Sequence, residues 1–182
     1  TLFPYTTLFR SGDYNGALLM RVDNDLQPKV IQCDIHGANG LAFSADRRWM
    51  YTSDTPNAVI YRTPLDEQGE PGRREVFRRF QPGEGIPDGA AIDVEGCYWS
   101  AMFDGWRIAR FSPQGEELES YPMPVRCPTM VCFGGADMKT LYITTTRENM
   151  EDDELAQYPL SGAIFTLPVA VAGMKKLPFR EC

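Results

Sequence analysis

The chain has 182 residues, enough for one domain with a sizeable core, and carries a formal net charge of −7. Its acidic residues are spread along the chain and no basic stripe accompanies them, so nucleic acid is not an expected partner. Five cysteines without a Cys-X-X-Cys motif and a single histidine, His36, argue against a zinc finger and against a disulfide framework.

The first eleven residues differ in character from the rest of the chain. Their order, with Leu-Phe on both sides of Pro-Tyr-Thr-Thr, resembles a translated sequencing adapter. We therefore expect residues 1–11 to be a non-native leader and residues 12–182 to be one partial domain whose N-terminal part is missing. The alternative is a genuine leader or an edge strand.

A hairpin follows from Gly16 to Gln32, in which two alternating strands flank a polar turn. Two longer segments, Asn39 to Phe80 and Gly89 to Met123, then repeat one order of elements. Each predicts an apolar inner strand, an aromatic second strand, a third strand and an outer strand, separated by turns rich in glycine and acidic residues. The predicted strands cover residues 41–44, 49–52, 59–63, 74–80, 90–93, 97–102, 107–111 and 118–121.

The last repeat starts at Thr129 and contains an acidic insertion, Glu148 to Tyr158. Because the insertion ends at Pro159 and has no apolar face, we expect a surface loop with one helical turn at most. The predicted strands of this repeat cover residues 130–133, 141–145 and 163–167.

A repeat of about 40 to 50 residues with several short strands per unit is typical of a β-propeller, whose blades are sheets set around a channel. The predicted fold class is therefore all-β. At about 40 to 45 residues per blade the chain supplies four blades at most. We expect an incomplete propeller of about three full blades plus the hairpin, with bare edges where the ring is open.

Asn39 and Asp88 occupy matching places in the first two full repeats, 88 − 39 = 49 positions apart. Both precede an inner strand, and in a propeller such positions face one another at one mouth of the channel. Their oxygen atoms would be hard ligands for Ca²⁺, Mg²⁺, Mn²⁺ or Zn²⁺. The alternative is that Asn-Gly and Asp-Gly are turn dipeptides that lead into strands.

The sequence lacks the residues that several catalytic mechanisms require. His36 is the only available partner for a Ser-His-Asp triad, and neither a Gly-X-Ser-X-Gly elbow nor a glycine-rich phosphate loop is present. His36 is either an exposed loop residue or a contact at the substrate rim. Asp54 is either a cap for the loop after the second strand or a polar group near the channel.

The cysteines and the hydropathy indicate the cellular compartment in which the protein is expected. Cys97 and Cys132 lie in strand patterns, where cysteine behaves as a small buried hydrophobe. Unpaired thiols favour a reducing compartment, so we expect a cytoplasmic protein. No apolar run approaches the length of a membrane span, and no membrane partner is expected.

Motifs spread over residues 14–182 together resemble the gluconolactonase and regucalcin (senescence marker protein) family of sugar lactonases. They are Ala38-Asn-Gly-Leu-Ala-Phe-Ser-Ala-Asp with Tyr51-Thr-Ser-Asp-Thr, Ile86-Pro-Asp-Gly-Ala-Ala-Ile-Asp with Glu95-Gly-Cys-Tyr-Trp, Cys132-Phe-Gly-Gly with Leu141-Tyr-Ile-Thr-Thr, and the acidic loop leading into Gly162-Ala-Ile-Phe.

The resemblance implies a six-bladed propeller that hydrolyses a small sugar lactone of the gluconolactone type, with one divalent cation (Ca, Zn, Mn or Mg) in the channel. By motif, Asn39 and Asp88 match two of the family's three metal ligands, and Asp88 also serves as the catalytic base. The third ligand, a glutamate of the first blade, has no counterpart here, nor have the family's substrate-holding arginine and asparagine. We therefore expect these 182 residues alone to be inactive, and the substrate-binding residues stay unassigned.

Two other functions remain open from the sequence. One is another hydrolase on the same scaffold, an organophosphatase or a lactonase for acyl-homoserine or aromatic lactones. The other is a non-catalytic propeller that binds calcium or a protein partner. The oligomeric state is not predicted.

Overall fold

A computed structural model describes residues 5–9, 17–23 and 25–175 of the chain. Antiparallel strands dominate this part and form four consecutive sheets, each made of strands adjacent in sequence. The first sheet contains β1 (Tyr5–Phe9), β2 (Ala17–Val22) and β3 (Pro28–Ile35). The second contains β4 (Ala38–Phe43), β5 (Trp49–Asp54), β6 (Val59–Pro64) and β7 (Glu75–Arg79).

The third and fourth sheets have the same meander order. The third contains β8 (Ile86–Ile92), β9 (Tyr98–Phe103), β10 (Arg107–Phe111) and β11 (Glu117–Pro122). The fourth contains β12 (Pro128–Gly134), β13 (Thr140–Thr145) and β14 (Ile164–Pro168). A 3₁₀ turn (Thr55–Asn57) and one α-helix, α1 (Asp152–Gln157), complete the described elements. No helix in these ranges is long and apolar enough to cross a membrane.

The sheets pack face to face because side chains on each strand point alternately to its two neighbours. In β9, Tyr98 and Met102 join a buried cluster with the second sheet, whereas Trp99 and Ala101 join a cluster with the fourth. The inner strands β4, β8 and β12 lie next to one another. This stacking puts matching positions of successive repeats side by side at one end of the sheets.

The all-β prediction is confirmed, and the repeat strands lie within a few residues of their predicted ranges. Two details differ. The acidic insertion contains a helix of six residues, α1, where at most one turn was expected. Cys97 is buried, but Cys132 is exposed, because it points to the face of β12 opposite the buried Val131 and Phe133.

The predicted leader is described only in part. Residues 5–9 pair antiparallel with β2 as the edge strand of the first sheet, and the remaining leader residues lie outside the described residues. Edge pairing of this kind does not distinguish a native strand from an appended one, so the non-native origin of residues 1–11 stays a prediction. Gly16 and the last cysteine, Cys182, also lie outside the described part.

Candidate metal and active site

Bulges interrupt the inner strands at matching places. The pairing of β4 with β5 shifts register between Asn39 and Ala42, and the pairing of β8 with β9 shifts between Pro87 and Ala90. A bulge adds an unpaired residue and redirects side chains away from the ladder, which is why bulges recur beside active sites. The prediction that Asn39 and Asp88 precede the inner strands is therefore wrong: both lie inside strands, at bulges.

The glycines that follow these two residues allow the inner strands to approach closely. At Gly40, which has φ +56°, an added Cβ would lie 2.9 Å from the backbone oxygen of Asp88. At Gly89 it would lie 2.6 Å from the backbone oxygen of Thr129, at the matching place on β12. The Asn-Gly and Asp-Gly pairs are thus close-approach positions of neighbouring strands, and their interpretation as turn dipeptides is wrong.

A hydroxyl relay links Asn39 to the strand that carries Asp88. The Nδ2 of Asn39 donates to Oγ1 of Thr55 at 2.9 Å, and that hydroxyl donates to the backbone oxygen of Pro87 at 2.8 Å. Because the amide nitrogen is committed to Thr55, the amide oxygen of Asn39 is left without a partner in the described part of the chain. An oxygen held in this way is available as a ligand.

Two further hydroxyls fix the backbone at the bulges. Oγ of Ser53 donates to the backbone oxygen of Asp88 at 3.0 Å, and the hydroxyl of Tyr98 donates to the backbone oxygen of Gly40 at 2.8 Å. Complete burial raises the pKa of Tyr98 far above its ordinary value, so it acts as a neutral donor. These contacts fix the backbone that carries the two candidate ligands.

The carboxylate of Asp88 has no hydrogen-bond or ion-pair partner in the described part of the chain. No side chain of residues 17–23 and 25–175 donates a hydrogen bond to this carboxylate or forms an ion pair with it. Burial, together with the negative charge of Glu148, raises the pKa of Asp88 to about 6. A partly buried carboxylate left unpaired is costly, and such groups concentrate at functional sites.

Asp54 and His36 lie at the same end of the second sheet. Asp54 is buried and accepts hydrogen bonds from the backbone nitrogens of His36 and Gly37 and from Nδ2 of Asn57. Asp54 therefore caps the turn after β5, as predicted, and also the β3–β4 connection, whereas its role near the channel stays a prediction. His36 is exposed, with Nδ1 2.9 Å from Nδ2 of Asn57. Its role at a substrate rim stays a prediction.

The described residues contain no group of three or more His, Cys, Asp or Glu side chains placed to hold a metal ion. They do contain the pair predicted from the repeat, Asn39 and Asp88, which lie on adjacent strands and are linked through Thr55. The donor set is all oxygen and includes an unpartnered carboxylate, which fits a hard divalent cation. Asn39 and Asp88 as ligands, and Asp88 as base, stay predictions.

Sequence reasoning missed the supporting hydroxyls of Ser53, Thr55 and Tyr98. The first two lie in the Tyr51-Thr-Ser-Asp-Thr motif, but nothing in that motif indicates which side chain crosses to the next sheet. Glu148 was assigned to a surface loop, and its approach to Asp88 was not expected either.

Comparisons with known proteins show the family to which the chain belongs. The sequence model of the SMP-30/gluconolactonase/LRE-like region matches residues 4–147. The chain is 54% identical over 168 residues to a 6-deoxy-6-sulfogluconolactonase of Pseudomonas putida, covering 92% of this chain and 58% of that protein. It is 38% identical over 147 residues to regucalcin of Danio rerio, covering 79% of this chain and 49% of the relative.

Among solved structures, the chain is similar to a calcium-binding protein, regucalcin, from Agrobacterium tumefaciens. The TM-score is 0.86 at 29% sequence identity, and the match covers 92% of this chain and 57% of that one. The chain thus spans 58% and 49% of the two curated relatives, and 57% of the solved structure.

Proposed function

The chain belongs to the SMP-30/gluconolactonase/LRE-like family, and on that premise we propose that it carries the Asn39 and Asp88 side of the active site of a metal-dependent sugar lactonase. The four stacked sheets would be part of a six-bladed propeller. The observation that carries the proposal is the carboxylate of Asp88, partly buried, without a partner among the described residues, and on the strand next to Asn39.

The relatives support the substrate class and the cation. A protein named for hydrolysis of a sulfonated gluconolactone shares 54% of its aligned residues with this chain, which supports a small sugar lactone as substrate. The solved structure with a TM-score of 0.86 is that of a calcium-binding protein, which supports a divalent cation.

Each residue of the site has a defined task in this proposal. The amide oxygen of Asn39, oriented by Thr55, and the carboxylate of Asp88 would hold the cation. When bound, a divalent cation supplies Lewis acidity that polarises the lactone carbonyl. Asp88 takes a proton from the attacking water while the oxygen of that water bonds to the carbonyl carbon. The ring C–O bond then breaks, and its alkoxide oxygen takes the proton back from Asp88 to give the open hydroxy acid.

The test is lactone hydrolysis by the protein that contains this chain, with aldonolactones and a sulfonated aldonolactone as substrates. We expect turnover that a chelator abolishes and that added divalent ions restore. Asp88→Asn keeps the shape but removes a charge and the proton acceptor, so turnover should fall by about 10² to 10⁴. Glu67→Gln, in a solvated turn, is the control. Turnover of Asp88→Asn within about threefold of the parent would remove Asp88 from the mechanism.

A second candidate is a calcium-binding protein without lactonase activity, favoured by the calcium binding for which the similar solved structure is named. The same experiment separates the two. Cation binding that depends on Asp88, with no turnover on the lactones, supports the binding protein and contradicts the enzyme.

A further inference from the structure

The segment between β13 and β14, residues 146–163, is here named the strap. It begins at the end of the sheets where Asp88 lies. The glycine after Asp88 contacts the backbone of Thr129 on β12, and the hydroxyl of Thr129 lies 2.7 Å from that of Thr144 on β13. The strap starts two residues after Thr144, so it leaves the fourth sheet beside the candidate site.

The strap has little core of its own. None of the residues of α1 is buried, and its N-terminal residue has no side-chain cap. A short helix without packing or capping is marginal in water. Its position must therefore come from contacts with the rest of the molecule.

Arg126, in the connection from β11 to β12, makes several of those contacts. Its Nε lies 2.6 Å and its Nη2 3.2 Å from the two carboxylate oxygens of Glu154 on α1, in a bidentate pair. Nη2 also donates to the backbone oxygen of Asn149 at 2.6 Å, and Nη1 donates to Asp104 at 2.7 Å. One guanidinium thus joins two points of the strap to the β9–β10 turn.

An aromatic pair supports the same docking. The ring of Trp106 packs against Tyr158 of the strap in an edge-to-face arrangement, with centroids 4.8 Å apart. Trp106 has φ +57°, a backbone conformation that bulky residues rarely adopt. Its backbone nitrogen donates to the oxygen of Arg126 at 3.2 Å, which ties this turn to the arginine. The strained turn and Arg126 therefore present one surface to the strap.

The docked strap carries charge to the site. Glu148 lies two residues into the strap from Thr146, whose hydroxyl accepts its backbone N–H at 3.0 Å. Glu148 therefore lies where the strap leaves the fourth sheet beside Asp88, and its negative charge acts on that carboxylate. No cationic side chain of the described residues pairs with Asp88 to offset it.

We propose that Arg126 is a positioning residue, which docks the strap beside the cation site so that Glu148 increases the attraction of that site for a divalent cation. The role of Glu148 rests on the proposed function, whereas the docking of the strap by Arg126 does not.

Docking is tested by amide hydrogen exchange on the full chain. Arg126→Gln should speed exchange of the Leu155 and Tyr158 amides by at least about tenfold, because it releases α1. Arg78→Gln is the matched control, since both arginines have side chains 23% exposed and pair with a glutamate. It should change these amides by less than about twofold. Equal exchange in Arg126→Gln and the parent would overturn the docking role.

The charge effect is tested by calorimetric titration with Ca²⁺. Glu148→Gln should weaken binding by about two- to fivefold, and Arg126→Gln by a similar factor. Because both variants act through the strap, the double variant should be no weaker than either single one. Arg126→Lys keeps the charge but cannot form the bidentate pair with Glu154, so it should give part of the loss. Glu151→Gln, which removes a second exposed carboxylate of the strap that does not act on Asp88, is the control.

The possible results separate the proposals. Additive losses in the double variant, or unchanged affinity in Glu148→Gln, contradict the role of Glu148. A parent that binds no cation contradicts both the proposed function and the role of Glu148, and the exchange experiment then still decides whether Arg126 docks the strap.

Discussion

Two aspartates five positions apart have opposite surroundings. Asp93, directly after β8, is buried and accepts hydrogen bonds from the backbone nitrogens of Glu95 and Cys97, from Nε1 of Trp99 and from Nε of Arg110. Asp88 has no such donor among the described residues. The first carboxylate stabilises the fold, whereas the second is kept available at the expense of stability, as is common for functional groups.

The raised pKa of Asp88 has a definite sign for stability. Its folded pKa of about 6 is above the unfolded value of 3.8, so the folded state binds more protons between these values. The favourable contribution of the protonated carboxyl is fully present below about pH 4 and is lost as the pH rises through about 6. Ionised Asp88 therefore destabilises the metal-free chain at neutral pH.

We predict that Asp88→Asn stabilises the metal-free chain at pH 7.5. The full shift corresponds to about 3 kcal/mol, and partial exposure reduces the expected gain to about 1 to 2 kcal/mol. Near pH 4 the parent carboxyl is neutral too, so the difference between the proteins should vanish. Urea unfolding in the presence of chelator at both pH values measures it. A destabilised variant at pH 7.5 would contradict the prediction.

At the scale of the elements, the turn between β8 and β9 is held by Asp93 together with Arg110. The arginine extends from β10 and binds Asp93 at 2.8 Å, Glu95 at 2.6 Å and Glu119 at 2.8 Å. Its side chain is 6% exposed and that of Asp93 is fully buried. The β8–β9 turn and the strands β10 and β11 are therefore joined through one ion network, in which Arg110 and Asp93 are the buried pair.

We predict that Asp93→Asn lowers the free energy of unfolding at pH 7 by about 3 to 5 kcal/mol, because the buried guanidinium of Arg110 loses its buried counter-charge and keeps only the exposed carboxylates of Glu95 and Glu119. The change in the free energy of unfolding should be opposite in sign to that of Asp88→Asn. That variant serves as the comparison because Asp88 lies on β8, the strand that Asp93 directly follows. Urea unfolding followed by tryptophan fluorescence reports it, since Trp99 also loses its acceptor. A loss below about 1 kcal/mol would show that the network is not structural.

The strands were predictable because each repeat alternates apolar and polar residues between glycine-rich turns, a local property of the sequence. The contacts between sheets could not be predicted from such local patterns. The relay through Thr55 and the bulges at Asn39 and Asp88 depend on how one strand packs on the next. So does the segment after β14, which returns to pair Gly173 with Asp93 beside the ring of Phe133. Motif alignment found the candidate ligands, but only packing reveals what orients them.

On the scale of the whole molecule, the fourth sheet is incomplete in the described part of the chain. The second and third sheets have a fourth, outer strand, whereas β14 ends the fourth sheet with its outer edge unpaired. Ile164 on β14 is 70% exposed and Tyr142 on β13 is 44% exposed. Unpaired strand edges with exposed apolar side chains are templates for association.

We predict that the 182-residue chain, expressed alone, binds divalent cations weakly, lacks lactonase activity and self-associates. Its described residues supply the two proposed oxygen ligands, Asn39 and Asp88, but no group of three His, Cys, Asp or Glu ligands, and among them the outer edge of β14 is unpaired. Light scattering over a range of concentrations, with a lactone assay on the same samples, measures both properties. Ile164→Lys should lower the average mass, because a charge on the edge opposes pairing. A monomer with chelator-sensitive lactonase activity would show that these residues alone form a complete site and a closed surface.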